Sequence, residues 1–211
     1  RGDGVQRRLL AIALGTFAFG MQDVLLEPYG GQVLGMGVGD TTWLTATLAA
    51  GGLVGFALAS RILGRGVDAA RLAAVGAMLG IPAFAAVVLA ASTQSVALFG
   101  AGVWLVGFGA GLFGHGTLTV TMLSAPKEQT GLALGAWGAV QATAAGVAVA
   151  LGGILRDVVA ALAERGFFGA ALQGPATGYA FVYLVEIVLL CLTVLVMGRL
   201  VGERRIILAG V

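Results

Sequence analysis

Charged residues are scarce in this sequence, at 10% of its 211 residues, whereas soluble domains average about 25%. Apolar residues make up 59% of the chain. A soluble fold of this size would leave too much apolar surface in water, because a small domain buries only part of its surface. The composition therefore argues against a soluble domain. It predicts an all-α polytopic transmembrane helix bundle with the lipid bilayer as its solvent.

Cysteine and histidine each occur once, as Cys191 and His115. A single cysteine excludes an internal disulfide, and the sequence contains no cysteine and histidine cluster with metal-ligand spacing. Short glycine repeats lie inside apolar stretches, which argues against a dinucleotide-binding loop. The sequence also has no basic patch with interleaved aromatic residues for nucleic acid, and no nucleophile–base pair. We therefore predict no catalytic residues, no metal site and no enzyme.

Long apolar stretches divide the chain into membrane spans, since about 20 apolar residues cross a bilayer. Six spans are predicted within a single domain over residues 1–211: 8–27, 42–63, 70–91, 96–123, 130–155 and 178–200. The 36 glycines lie largely within these spans, which favours close helix–helix packing.

Proline and capping residues predict where the spans end. The first span should stop before Pro28, because proline disfavours helical geometry in the preceding residue. A glycine-rich connection over 29–39 should follow, with Asp40 or Thr41 as the next N-cap. Pro82 should kink the third span. The connection 156–177 has two open interpretations, an amphipathic helix on the membrane surface or a continuation of the fifth helix.

The basic residues predict the orientation. Of the 12 Lys and Arg residues, all but Arg156 and Arg165 fall on one predicted side of the membrane. Because cytoplasmic loops carry the excess of Lys and Arg, both termini are expected in the cytoplasm. Six spans, a basic second-to-third loop and a long fifth-to-sixth connection match half of a major facilitator superfamily fold, which pairs two three-helix units.

Two segments carry a closer resemblance, QDVLLEPYGGQVLGM at 22–36 and TTWLTA at 41–46. They resemble the PucC/LhaA family, at the opening of its seventh helix. The resemblance implies that the chain corresponds to the C-terminal half of a twelve-helix protein, whose N-terminal six-helix half would be a partner.

The resemblance also implies a function. Such proteins assist the assembly of light-harvesting complexes, as chaperones that handle bacteriochlorophyll, antenna polypeptides or both. Antenna polypeptides or a photosynthetic complex would then be partners. The chain would be a multi-pass protein of the bacterial inner membrane, in its photosynthetic intracytoplasmic part.

One candidate binding site surrounds His115 in the fourth span. Neutral imidazole ligates metals, and the magnesium of a bacteriochlorophyll accepts such a ligand. Gly111 and Gly114 would clear space for a flat ring, and Trp104 could pack against it. Two plainer interpretations remain: a histidine hydrogen-bonded to a neighbour, and glycines that serve helix packing alone.

A second candidate site is a polar membrane site of four residues. Ionisable groups inside a membrane are costly and therefore tend to be functional. Asp23 and Glu27 are expected to share one helix face, because they are four residues apart. Glu186 lies deeper in the sixth span, where Gln141 is its predicted polar partner. The plainer interpretation of Asp23 and Glu27 is a solvated helix end.

Three functions remain open from the sequence. An antenna-assembly factor is the leading one. The alternative is a secondary transporter of the major facilitator superfamily, with intramembrane acidic residues as coupling groups. The third is a structural subunit that stays bound to a larger complex.

Overall fold

The computed structural model describes the backbone of residues 2–209 and the side chains of residues 4–198. The side chains of Arg1, Arg199, Arg204 and Arg205, which contribute to the predicted orientation, lie outside it. Seven α-helices follow one another: α1 (Gly2–Gly20), α2 (Leu26–Leu34), α3 (Val38–Leu63), α4 (Ala69–Thr93), α5 (Val96–Ser124), α6 (Thr130–Glu164) and α7 (Ala176–Ala209).

The first span is broken earlier than the sequence predicted. A 3-10 segment, Met21–Val24, separates α1 from α2, and the two parts are bent by 47°. Pro28 does not end the helix as predicted. It lies in the first turn of α2, where its missing N–H removes no helical hydrogen bond. The prediction failed because proline disrupts a helix that has already begun but is tolerated in the first turn of a new one.

The connection after α2 is short. The expected glycine-rich connection over 29–39 is mostly helix. α2 ends at Leu34, and its C-cap is Gly35, whose φ of 66° is easily adopted by glycine. The N-cap of α3 is Gly37 rather than Asp40 or Thr41. Asp40 instead lies in the first turn, where its Oδ2 accepts a hydrogen bond from the Gly37 N–H at 3.3 Å. α4 runs through Pro82 without interruption.

The long connection after Leu155 is largely a continuation of α6. This helix has 35 residues and spans about 52 Å at a rise of about 1.5 Å per residue. It therefore exceeds the hydrocarbon core of a bilayer, which is about 30 Å thick. The interpretation as a separate amphipathic helix is wrong, because only a short 3-10 turn, Ala170–Leu172, follows before α7.

Length and composition support a polytopic membrane protein. Within the described residues, 5 helices are long and apolar enough to cross a membrane, and the count reaches 6 if the bent α1–α2 pair forms one span. The all-α fold class is confirmed, and no strand occurs among residues 2–209.

Helix α5 lies between α3 and α4 and packs closely against both. Glycines make this possible. A methyl group at Gly107 would lie 3.0 Å from the Gly52 nitrogen on α3, and one at Gly76 on α4 would lie 2.6 Å from the Gly109 oxygen on α5. We call these contacts of α5 the glycine seam. It lets the backbones approach within direct contact.

A buried aromatic cluster packs α2 against α4, α5 and α7. The Tyr29 ring lies 5.0 Å from Phe99, 5.4 Å from Tyr179 and 5.6 Å from Tyr183 between ring centroids. Its hydroxyl donates to the Val87 carbonyl oxygen at 2.8 Å. Tyr29 and Tyr183 are fully buried, so both rings pack inside the protein and do not face lipid.

Candidate functional site

The break in the first span leaves a backbone N–H that α7 satisfies. Glu186 on α7 is completely buried, and its Oε1 accepts a hydrogen bond from the Gln22 backbone N–H at 2.7 Å. The predicted partner, Gln141, is not the group that Glu186 contacts. α7 packs against α6 as well as against α1 and the 3-10 segment, but Gln141 on α6 faces a cavity that Glu186 does not line.

The Gln22 side chain extends this interaction towards the next residue. Its Nε2 donates to the Phe19 carbonyl oxygen at 3.1 Å and also to Oδ1 of Asp23. A chain of contacts thus runs from Glu186 through Gln22 to Asp23, and we call these three residues the hinge network. Gln22 is 3% exposed. The sequence analysis did not single it out, although it begins the segment that carries the family resemblance.

A cavity of about 300 Å³ lies next to the hinge network. Its wall is formed by α1, the 3-10 segment, α3, α5 and α6. It brings together four of the predicted residues, Asp23, Gln141, Gly111 and Gly114. Gln22 and Thr16 also line it. The cavity is therefore the place where the broken span, the glycine seam and α6 meet.

Asp23 and Glu27 do not form a common site. The break lies between them, with Asp23 in the 3-10 segment and Glu27 in the first turn of α2. Glu27 Oε1 accepts a hydrogen bond from the Thr45 hydroxyl of α3 at 2.7 Å, and Glu27 is absent from the cavity wall. The expected shared helix face assumed an unbroken helix, and the 47° bend removes it.

His115 lies at the α3–α5 contact and outside the cavity wall. Its ring meets Phe56 of α3 edge to face, with centroids 4.2 Å apart. Among the described residues, nothing forms a hydrogen bond with its buried Nδ1. The plainer interpretation, a side chain hydrogen-bonded to a neighbour, therefore does not hold for this nitrogen.

The other residues predicted around His115 divide between two roles. A methyl group at Gly111 would lie 3.0 Å from the Phe56 nitrogen, so this glycine serves the glycine seam. At Gly114, no described atom lies within 4 Å of such a methyl group. Trp104 is 36% exposed and stacks on Phe108 with ring centroids 5.2 Å apart. Only Gly114 thus offers open space of the kind predicted.

A further polar cluster joins α2, α6 and α7. Arg156 Nη2 donates to Gln32 Oε1 and to the Tyr179 hydroxyl oxygen at 2.8 Å, while Nη1 forms an ion pair with Asp157 at 2.7 Å. The Arg156 guanidinium also lies 4.5 Å from the centre of the Tyr179 ring. Sequence reasoning missed this cluster, because Gln32 and Arg156 are distant in sequence and only the fold brings them together.

Comparison with known proteins identifies the family. The family model described as PUCC protein matches residues 2–205. The chain belongs to the PUCC family. The match covers all seven helices apart from the last residues of α7, so the hinge network, the cavity and His115 all lie inside the family region.

Individual family members are similar over most of this chain. Protein PucC of Cereibacter sphaeroides is 56% identical over 188 residues, which cover 89% of this chain and 40% of that protein. Protein PucC of Rhodovulum sulfidophilum is 60% identical over 159 residues, or 75% of this chain and 35% of that protein. An uncharacterized protein of the puhA-bchM intergenic region in Rhodobacter capsulatus is 53% identical, over 98% of this chain and 46% of its own length. The chain thus spans less than half the length of these curated relatives.

Proposed function

We propose that this PUCC-family chain is part of a membrane-embedded assembly factor for bacterial light-harvesting complexes. It would act as a chaperone and not as an enzyme. Its partners would be antenna polypeptides or a photosynthetic complex within the inner membrane, with both termini on the cytoplasmic side. The observation that carries the proposal is the family match over residues 2–205. The resemblance of the segments at 22–36 and 41–46 supplies the role in antenna assembly.

The shape of the bundle supports a role in holding other hydrophobic molecules in the bilayer. α3 and α6 are each buried over only 17% of an apolar stretch of 18 residues, compared with 44% for α4 and for α5. Large apolar side chains on α3 are exposed, including Trp43, Leu53 and Phe56. A protein that receives pigments or single antenna helices needs membrane-facing apolar surface of this kind.

A bacteriochlorophyll is the proposed ligand of His115, which would hold its magnesium. The residues fit this group in one respect, because the His115 side chain is only partly buried. Its Nδ1 is buried, so Nε2 would be the nitrogen that holds the magnesium. His115 does not line the cavity of about 300 Å³. The pigment would therefore lie against the bilayer-facing side of His115, and not in the cavity.

The test combines assembly and pigment binding. The gene would be deleted in its phototrophic host and complemented with wild-type protein or with His115→Leu. Deletion should lower antenna absorption in the membranes, and wild-type protein should restore it. His115→Leu should yield folded protein that copurifies with less pigment than the wild type. A Cys191→Ser variant, altered at an exposed residue of α7, serves as the matched control.

Two results would contradict the proposal. Unchanged antenna absorption after deletion would remove the role in assembly. Wild-type protein purified from photosynthetic membranes without any bound pigment would remove the pigment ligand, and would leave antenna polypeptides as the molecules handled.

A second candidate function is a secondary transporter of the major facilitator superfamily. The broken first span favours it, because interrupted helices that line a cavity are typical of transporter binding sites. In that case vesicles containing the protein should accumulate a defined solute, and Asp23→Asn should abolish the uptake. Uptake that is unchanged in Asp23→Asn would count against Asp23 as a coupling group.

A further inference from the structure

The hinge network ends in a carboxyl group that is sealed inside the protein. Glu186 is 0% exposed, and among the described residues its side chain accepts one hydrogen bond, from the Gln22 N–H at 2.7 Å. Its second oxygen, Oε2, is buried and meets no donor in that part of the chain. Water therefore does not reach this carboxyl group while the helices are packed together.

The helices that pack against this part of α7 bring no cation to the carboxyl group. The charged group whose field acts on Glu186 is another acid, Asp23 of the 3-10 segment. On α4, the only charged side chain is Arg71, which lies close to the start of that helix. On the described part of α1, the charged side chains are Arg7 and Arg8, and they precede the break by about 20 Å along the helix. A second negative charge beside Asp23 would thus be uncompensated.

The remaining neighbours contribute neutral tyrosines and a distant arginine. Tyr29 on α2 and Tyr183 on α7 face the same buried region. On α6, the Arg156 guanidinium donates to the Tyr179 hydroxyl oxygen at 2.8 Å. Tyr179 lies seven residues before Glu186 on α7, which is about 10 Å along the helix. The arginine is therefore bound at another level of α7 and does not neutralise this carboxyl group.

Buried oxygens around the carboxyl group outnumber the hydrogens available to them. Glu186 Oε2, Gln22 Oε1 and the Tyr183 hydroxyl are all buried without a partner among the described residues. Gln22 Nε2 donates to the Phe19 carbonyl oxygen and to Asp23 Oδ1, which fixes the orientation of the amide and leaves Oε1 as an acceptor. With an ionised Glu186, the Tyr183 hydroxyl would supply the one hydrogen for these three oxygens. A proton on Oε2 adds a second hydrogen and removes the buried charge.

From the sealed position and the missing cation we infer that Glu186 carries a proton in the closed hinge network, and that the network opens when this proton is released. A buried carboxylate without a cation costs far more than a buried carboxylic acid, so the closed network excludes the ionised form. Once α7 separates from the 3-10 segment, the carboxyl group meets water, and its proton passes to water as in an ordinary glutamate at neutral pH.

The consequence is a pH-sensitive contact beside the cavity. Low pH stabilises the closed network, and rising pH favours the open one, because only the open state gives up the proton. Gln22 and Asp23 line the cavity, so opening of the network changes the cavity wall. The contact of α7 with the broken first span thus responds to pH without any exposed titratable group on α7.

The experiment follows hydrogen exchange in the 3-10 segment, Met21–Val24, with the whole protein in detergent micelles. Wild type and Glu186→Gln are compared between about pH 6 and about pH 8, above the ordinary glutamate value of about 4.3. The ratio of their opening constants cancels the intrinsic pH dependence of exchange. Opening releases a proton from residue 186 only in the wild type, so the wild-type constant should rise about ten-fold per pH unit relative to that of the variant. Glu128→Gln, altered at an exposed carboxylate, is the control and should follow the wild type.

A ratio that stays constant over this range would overturn the inference, because Glu186 would then have the same charge in both states. A rise that levels off supports it, and the levelling marks the pH at which the closed network loses its proton. If Glu186→Gln aggregates, infrared spectroscopy of Asp23→Asn decides instead. Among the described residues Glu186 is the one fully buried carboxyl group, so this variant should show the band of a protonated carboxyl group at neutral pH, and absence of the band overturns the inference. Neither measurement depends on a role in antenna assembly.

Discussion

The glycine seam and the hinge network hold helices together by opposite means. Along the glycine seam, α5 meets α3 and α4 through backbone atoms, and a methyl group at Gly76 or Gly107 would meet main-chain atoms of the facing helix. At the hinge network, α7 meets the broken first span through a side chain, since Glu186 reaches a backbone N–H.

The difference reflects the solvent. Lipid supplies no hydrophobic force between apolar helices, so association depends on close packing or on hydrogen bonds. An unbroken helix satisfies its own backbone and can use packing alone. A broken one exposes polar backbone groups that lipid cannot satisfy, and a neighbouring helix must do so. The hinge network occurs where the first span is interrupted, which agrees with this division.

The largest effect is expected from breaking the glycine seam. In Gly107→Ala, the new methyl group would collide with the Leu48 carbonyl oxygen and lie 3.0 Å from the Gly52 nitrogen. Backbone cannot move aside as a side chain can, so we expect the free energy of unfolding to fall by about 3 kcal/mol, at the upper end for overpacking. Unfolding in mixed micelles measures it. In the control Gly100→Ala, no described atom lies within 4 Å of the added methyl group. Equal losses in both variants would contradict this role for the seam.

A smaller effect is expected at the hinge network. Glu186→Leu leaves the Gln22 N–H buried without a partner, which costs about 2 kcal/mol. Removal of the buried Glu186 Oε2, for which the described residues provide no partner, offsets part of this cost, and the free energy of unfolding should fall by about 1 kcal/mol. Glu186→Gln retains a carbonyl oxygen as acceptor and should lose less than half as much. The same micelle titration, with hydrogen exchange of the Gln22 amide, separates the two variants. Equal losses would mean that Glu186 contributes through its charge, and not through this hydrogen bond.

Two tyrosines of the aromatic cluster compare a satisfied hydroxyl with an unsatisfied one, and the expected change in the free energy of unfolding is about 1 kcal/mol. Tyr29→Phe removes the hydrogen bond to the Val87 oxygen and should cost about 1 kcal/mol. Tyr183→Phe removes a buried hydroxyl for which the described residues provide no partner. It should leave the stability unchanged or raise it, because an unsatisfied polar group is expensive to bury. Thermal unfolding of the two variants, compared with the wild type, tests the prediction. A larger loss for Tyr183→Phe would reverse it.

Apolar stretches predicted most of the helices because lipid makes length and composition decisive. The predicted 42–63 span ends at the same residue as α3, and the predicted 96–123 span begins at the same residue as α5. The break between Gly20 and Leu26 was missed, since the sequence carries no proline there. The broken segment is stabilised by the hydrogen bond from the Gln22 N–H to Glu186, which is 164 residues away in sequence. No local pattern encodes such a pair.

The structure groups the candidate residues differently from the sequence. Asp23, Gln141, Gly111 and Gly114 do line one cavity, yet the sequence assigned them to two separate sites. Periodicity identifies which residues share a face of one helix, but a cavity wall is set by the packing of four helices. For the same reason Gly111 could not be assigned in advance, since helix packing and ligand space require the same residue type.

The smallest expected effect tests whether every side-chain bond between helices matters as the hinge network does. The Thr45 hydroxyl donates to Glu27 across the α2–α3 contact, where both residues are exposed. Thr45→Val should cost about 0.5 kcal/mol or less, because exposed polar pairs contribute little. Thr47→Val is the matched control, since among the described residues Thr47 bonds only to the Trp43 oxygen of its own helix at 2.7 Å. A double-mutant cycle with Glu27→Gln isolates the pair from other changes. A coupling energy as large as the loss in Glu186→Leu would contradict two parts of this comparison. Burial would then not determine the strength of a polar contact between these helices. The interruption of the first span would not distinguish the hinge network either.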